Sequence, residues 1–157
     1  VVEKLIVLDV DGVCANTYQS KIDMDMAWEV EGHLGHLAHE WWANLLPYPW
    51  VQELYQGLLS TGIEVLIATA LNPDYHAAYS GRAAWIQKHL KTNNFLIGPP
   101  KTKLSMPGRL LVDDSRPTCD GWEKKGGKAI RFPRLWHDEV VEIPKILQQA
   151  KDLLNNM

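Results

Sequence analysis

The chain has 157 residues, 46% of them apolar and 22% charged, values that suit one globular domain and argue against a disordered segment. A formal charge of −3 argues against a protein that holds extended nucleic acid or an anionic membrane surface by charge, and no apolar run approaches the ~20 residues of a membrane span. The first apolar run, residues 5–8, is too short for a signal-peptide core, and the two cysteines, Cys14 and Cys119, make no disulfide framework, so a cytoplasmic setting is expected.

Residues 4–9 (KLIVLD) read as a buried parallel strand, apolar on both faces. Residues 14–49 follow no such rhythm and are far longer than the roughly 2–6 residues of an ordinary strand-to-helix loop. Rich in Trp, His, Met and acidic residues, they read as a small, mostly helical insertion over the carboxyl end of the first strand, placed to act as a lid. Val51, Leu54, Tyr55, Leu58 and Leu59 fall on one helix face, which Gly62 ends. Residues 64–69 (EVLIAT) read as a second buried strand, and residues 81–90 as a helix with Trp85, Ile86 and Leu90 apolar. Residues 95–97 are a weak third strand, 109–113 (RLLVD) a fourth and 128–132 (KAIRF) a fifth, with a short helix around Trp122 between the last two. The final helix begins near Pro144, and Ile146, Leu147, Ala150, Leu153 and Leu154 form its apolar stripe. Strands alternating with helices predict an α/β fold around a parallel sheet, one domain over residues 1–157 with the insertion at about 14–49.

Three of these strands end in residues that do not belong in a core. The first runs into Asp9-Val10-Asp11-Gly12, the second ends at Thr69, and the fourth ends at Asp113-Asp114. In a parallel sheet these ends share one edge, so four carboxylates gather in one place. They repel each other unless their pKa values rise or a cation binds. Oxygen ligands with no His or Cys near them in sequence suit Mg²⁺. With Thr69 and a lysine, Lys101 or Lys103, such a metal would make a receptor for a phosphoryl group. One carboxylate is then free to attack phosphorus, and a second, two residues on, to protonate the leaving oxygen. Each piece alone is weak: Asp-x-Asp-Gly occurs in turns, and an aspartate pair in helix caps. Their joint occurrence after apolar strands carries the reading. A calcium loop would need further oxygen ligands and a downstream Glu that Asn16 and Tyr18 do not supply.

At these residues the chain resembles the haloacid dehalogenase (HAD) superfamily of phosphohydrolases. Asp9-Val10-Asp11-Gly12-Val13 looks like its first motif, Thr69 its second, Lys101 its third and Asp113-Asp114 its fourth. Trp41-Trp42 before Leu46-Pro47, Ala84-Trp85-Ile86, Arg116-Pro117 and residues 126–132 (GGKAIRF) look most like the 5'(3')-deoxyribonucleotidases and their small phage and bacterial relatives. The resemblance implies a three-layer, Rossmann-like HAD fold with a small helical cap inserted after the first strand. It implies Asp9 as nucleophile and Asp11 as general acid/base. Mg²⁺ would be held by Asp9, Asp11 through its backbone carbonyl, and Asp114, supported by Asp113. Phosphate would be bound by Thr69 and Lys101, with Lys103 the alternative lysine. The implied reaction is hydrolysis of a small phosphate monoester, a nucleoside or deoxynucleoside 5'-monophosphate first. Alternatives are another small phosphometabolite, a nucleic-acid end, or a non-catalytic nucleotide-binding module. The deoxyribonucleotidases usually carry a second hydroxyl residue after the motif-two Thr, where this chain has Ala70.

Seven tryptophans beside two phenylalanines is an unusual ratio. Trp41 and Trp42 are candidates for an apolar pocket over a base, with Trp28 and Tyr18 weaker candidates, while Trp50, Trp85, Trp122 and Trp136 read as packing residues. His33, His36 and His39 recur at i, i+3 and i+6, more in keeping with a lid face or a solvated face than a metal site. Cys14 reads as a small buried residue, Arg82 and Lys88 as surface charges, and Arg116 as a residue that orients the aspartate pair or reaches the lid.

Overall fold

The computed structural model describes residues 2–18 and 38–157. Its centre is a parallel sheet of β1 (Leu5–Leu8), β2 (Glu64–Ala70), β3 (Phe95–Gly98), β4 (Arg109–Asp113) and β5 (Lys128–Arg131), in the order β3-β2-β1-β4-β5. Around it lie α1 (His39–Ala43), α2 (Val51–Leu59), α3 (His76–His89), α4 (Arg116–Lys124) and α5 (Ile143–Asn155). The expected five strands and their parallel sense are present. No described helix is long and apolar enough to cross a membrane.

The middles of the strands are apolar because both sheet faces are covered, and their period of two sorts the side chains into two clusters. Ile6, Leu8, Leu110, Val112, Ile67 and Ile130 join the larger one with Leu54, Leu58, Trp85, Ile86, Ile146 and Leu154 of the helices. Val7, Ala68 and Leu111 join the smaller one with Cys119 and Trp122 of α4. Helices therefore sandwich the sheet in three layers. Of the tryptophans expected to pack, Trp85 and Trp122 are fully buried, and each turns its indole N–H to a backbone carbonyl, of Leu45 at 2.7 Å and Arg109 at 3.3 Å.

The stems of the segment expected as an insertion meet at the sheet's carboxyl edge. The Asn16 N–H donates to Leu46 O at 2.8 Å, and the Tyr48 N–H to Cys14 O at 2.9 Å. Trp50 secures the same corner, its indole N–H donating to Val13 O at 2.9 Å.

One boundary differs from expectation. α3 begins at His76, five residues before Gly81. Gly81 reads as a helix breaker in sequence, but it serves a close helix contact: a Cβ there would lie 2.4 Å from Trp42 Cβ and 2.8 Å from His39 O, both on α1. The longer helix brings Arg82 onto its buried face with Ala78, Trp85 and Ile86.

In an open helix Gly→Ala stabilises by about 1 kcal/mol. At this crossing Gly81→Ala is expected to destabilise by about 1–3 kcal/mol, because α1 must move off α3. Thermal or urea unfolding checks it, and a stabilised variant would mean that α1 does not dock where it is placed.

Candidate active site

The site is the carboxyl edge of the sheet. In the paired register Leu8 of β1 stands between Ile67 and Val112. The Asp9 N–H donates to Val112 O at 3.0 Å, extending the ladder one rung, so Asp9 and Asp113 stand side by side. Thr69 comes from the end of β2, and Asp114 sits just before α4, whose N-terminal dipole favours anions. Asp113 Oδ1 accepts the Ser115 N–H at 2.8 Å, and Ser115 caps α4.

Lys101, on a 3-10 turn after β3, fills the space between the carboxylates. It is buried, and its ammonium donates to Asp9 Oδ1 and, at 2.5 Å, to Asp113 Oδ2. Burial alone would lower its pKa, but Asp9 and Asp113 outweigh burial and raise it. Lys103 is exposed on the same turn. Of the two lysines, Lys101 is therefore the one that meets the carboxylates.

Asp9, Asp113 and Asp114 are all buried, and one oxygen from each lies within 4.8 Å of the others. Burial first, then the Asp113 charge, holds Asp9 well above the ordinary carboxylate range despite Lys101. Asp114 is raised as well, chiefly by burial and by Asp113, while a hydrogen bond to Asp9 and the charge of Arg134 pull the other way. Three buried carboxylates with hard oxygen donors and a deficit of positive charge fit a divalent cation.

Asp11 lies beyond this group, its side chain 21% exposed. Its Oδ1 accepts from Arg82 and from Thr17, and its Oδ2 accepts from the Thr69 hydroxyl at 3.3 Å. Gly12 follows at φ +78°. A Cβ there would lie 2.5 Å from Trp136, 2.8 Å from Tyr18 and 3.2 Å from Asp114 Cγ, so this turn is glycine for space as well as for conformation.

Asp9, Asp11, Thr69, Lys101, Asp113 and Asp114 thus converge, as the sequence suggested. The aromatic assignments come out differently. Trp42 is 2% exposed and packs in the core, its ring 4.9 Å beneath the Arg82 guanidinium. Trp41, edge-on to Trp42 with centroids 4.8 Å apart, keeps part of its surface accessible. Trp136 is not simply a packing residue: it stacks on Tyr18 at 4.2 Å, directly over Gly12. Burial and the charges of Asp114 and Asp9 push the Tyr18 hydroxyl pKa upward.

The expected surface charge Arg82 is instead fully buried, and burial lowers its pKa to about 9. A signal was present in the sequence, since Arg82 falls at i+4 from Ala78 and precedes Trp85 and Ile86 by three and four residues, all on one apolar stripe. Arg116 is exposed, and it is Arg134, in a loop without periodicity, whose Nε donates to Asp114 Oδ2 at 3.0 Å. His39 hydrogen bonds to Ser80 at 2.7 Å, while Trp28, His33 and His36 lie outside the described residues. Burial, then Asp9, raises the Cys14 thiol pKa, in keeping with an inert core residue.

No family model and no curated protein matches the sequence. Solved structures do match the fold. A HAD family enzyme from Bacteroides thetaiotaomicron, an aspartate-to-alanine mutant in complex with magnesium and inorganic phosphate, superposes with a TM-score of 0.51 at 11% identity, over 85% of this chain and 95% of that one. A phosphonoacetaldehyde hydrolase-like protein from Oleispira antarctica gives 0.54 at 14% identity, over 98% and 84%. L-2-haloacid dehalogenase from Xanthobacter autotrophicus gives 0.52 at 13% identity, over 95% and 88%. The fold is the HAD fold. Proteins that differ this far in sequence share only the scaffold, and what each does is decided by its site.

The raised carboxylates give a stability test. Folded Asp9 and Asp114 keep protons that the unfolded chain loses above its ordinary value of 3.8, so their contribution falls as pH rises from there through the folded pKa. Lys101 contributes constantly in this range, because its stabilisation is lost only above its ordinary 10.5. In metal-free buffer, Asp114→Asn is therefore expected to raise Tm more at about pH 7.5 than at about pH 4. An equal change at both pH values in differential scanning calorimetry would contradict the raised pKa.

Proposed function

We propose that this protein is a Mg²⁺-dependent phosphomonoesterase that works through an aspartyl-phosphate on Asp9, with nucleoside or deoxynucleoside 5'-monophosphates as its substrate class. The observation that carries the reading is the convergence of Asp9, Asp11, Thr69, Lys101, Asp113 and Asp114 on one sheet edge, with Lys101 bonded to both Asp9 and Asp113. The Bacteroides protein of the same fold, with magnesium and inorganic phosphate, supports the metal and the phosphoryl chemistry.

Asp9, Asp113 and Asp114 would hold Mg²⁺, with the backbone carbonyl of Asp11. When bound, the ion neutralises the carboxylates and stabilises charge on the phosphoryl oxygens. Asp9 attacks phosphorus in line with the ester oxygen, forming the Asp9–phosphorus bond as the ester bond breaks. Asp11 gives its proton to the departing oxygen. It then takes a proton from the water that attacks the aspartyl-phosphate, releasing inorganic phosphate and restoring Asp9. Lys101 and Thr69 hold the phosphoryl oxygens, and Lys101 keeps Asp9 oriented while it waits. Asp11 favours ester hydrolysis among the chemistries this fold supports, since a departing alkoxide needs a proton.

The nucleotide part of the reading rests on the family resemblance and on the aromatic side chains around the edge. Trp41 keeps accessible surface, and Tyr18 and Trp136 stack over Gly12. A base stacked on such a ring gains ~1–3 kcal/mol, largely whatever its identity. One domain over residues 1–157, with a cap at about 14–49, completes the proposal.

The test is phosphate release from a panel of 5'- and 3'-nucleoside and deoxynucleoside monophosphates, with Mg²⁺ and with EDTA. Release that needs Mg²⁺ and favours one nucleotide subset over p-nitrophenyl phosphate and sugar phosphates is expected. Cleavage of p-nitrophenyl phosphate alone would keep the mechanism and discard the nucleotide. Asp9→Asn is expected to lose roughly a thousandfold or more in kcat while melting cooperatively. Substantial turnover by that variant, once deamidation is excluded by mass spectrometry, would overturn the nucleophile.

A further inference from the structure

Arg82 is the charged residue that the proposed mechanism leaves unused. It is completely buried on α3, where an arginine is costly unless something fixes it there. Its hydrogen bonding does not satisfy it: Nε and Nη1 have no partner among the described residues. Nη2 alone is engaged, donating to Asp11 Oδ1 and lying 3.5 Å from the Thr17 hydroxyl. A buried pair of this kind is weak evidence for stability, since apolar residues of similar volume often serve as well.

The contacts of Asp11 show what Arg82 does for its partner. Asp11 lies in the turn after β1, beyond the strand ladder, with its backbone bridged to Ala15. Arg82 and Thr17 both donate to Oδ1. Among the described residues Oδ2 receives only the Thr69 hydroxyl, at 3.3 Å. The two oxygens are thereby made unequal, one anchored and one open. The anchor is itself clamped, with its guanidinium 4.9 Å over the Trp42 ring and Gly81, the residue before it, pressed against α1.

We infer that Arg82 is a positioning residue for Asp11: it fixes Oδ1 and so presents Oδ2 as the oxygen that exchanges a proton with the leaving group. This rests on the phosphomonoesterase reading. Arg82 acts through Asp11 and not on the phosphoryl group, so its loss is felt according to how much the leaving group needs a proton.

Two esters of similar size read that need: phenyl phosphate, whose phenolate leaves poorly, and p-nitrophenyl phosphate, whose phenolate leaves readily. General acid catalysis is worth ~10²–10⁴-fold. Arg82→Met is expected to lower kcat/KM for phenyl phosphate by ~100-fold and for p-nitrophenyl phosphate by a much smaller factor. In an Asp11→Asn background the same substitution is expected to add nothing, and Arg82→Lys to recover part of the loss. Equal losses on the two esters, or additive losses in the double variant, would overturn the inference and point to a structural or phosphate-binding arginine. Should Arg82→Met not fold, the two-ester comparison on Arg82→Lys decides by the same criterion. A wild-type protein that releases phosphate from neither ester nor from any nucleoside monophosphate with Mg²⁺ would remove the phosphatase reading and this inference together. Turnover with equal losses removes the inference alone.

Discussion

Charge repulsion at one sheet edge is the constraint on which the rest of this molecule depends. Four carboxylates converge there, and three cations meet them individually: Lys101 between Asp9 and Asp113, Arg82 on Asp11, and Arg134 on Asp114. The Asp9 and Asp114 pKa values rise chiefly because the groups are buried, and then because the arrangement falls short of neutrality, with Asp113 beside each. A phosphate monoester would add up to two more negative charges. Only a further cation lets substrate and carboxylates share the edge, so the demand for a divalent metal follows from the electrostatics as well as from the resemblance.

The scaffold can bear this repulsion because it stiffens the surrounding backbone. β1 is central, paired on both sides and apolar on both faces, so Asp9 is held by the sheet before any side-chain bond forms. Asp113 gains a second hold from the start of α4 through the Ser115 N–H. Asp11 lies outside this rigid set, in the turn that Gly12 allows, and depends on side chains for its position.

What was legible in the sequence tracks this division. Apolar runs broken by aspartate or threonine reveal strand ends, and parallel pairing turns distant strand ends into neighbours, so Asp9, Asp11, Thr69, Asp113 and Asp114 could be named together in advance. For the lysine, spacing left Lys103 open beside Lys101, because a 3-10 turn places one inward and the other outward within a single turn. Arg82 was hidden by its type: a charge on a helix is usually solvated, and only its place on the stripe with Ala78, Trp85 and Ile86 marks it as buried. Gly81 disguised the start of α3 for a related reason, since helix propensity says break and the contact with α1 overrides it. Trp136 and Arg134 stand in a loop with no period, so no pattern announced that they reach the site.

The two stems that meet this edge end in aromatic contacts, and these differ in kind. Tyr18, on the first stem, stacks with Trp136 against Gly12 and lies within the field of Asp114. Trp42, on the second, lies under Arg82, which holds Asp11. The first stem therefore meets Asp11 through the Thr17 hydroxyl as well as the field of Asp114 through Tyr18, and the second meets Asp11 through Arg82. Asp9 and Asp113 are held separately, by Lys101 and the strand ladder, and Asp114 by Arg134. Both stems thus bear on the Asp11 carboxylate, while the sheet and Lys101 fix Asp9 and Asp113.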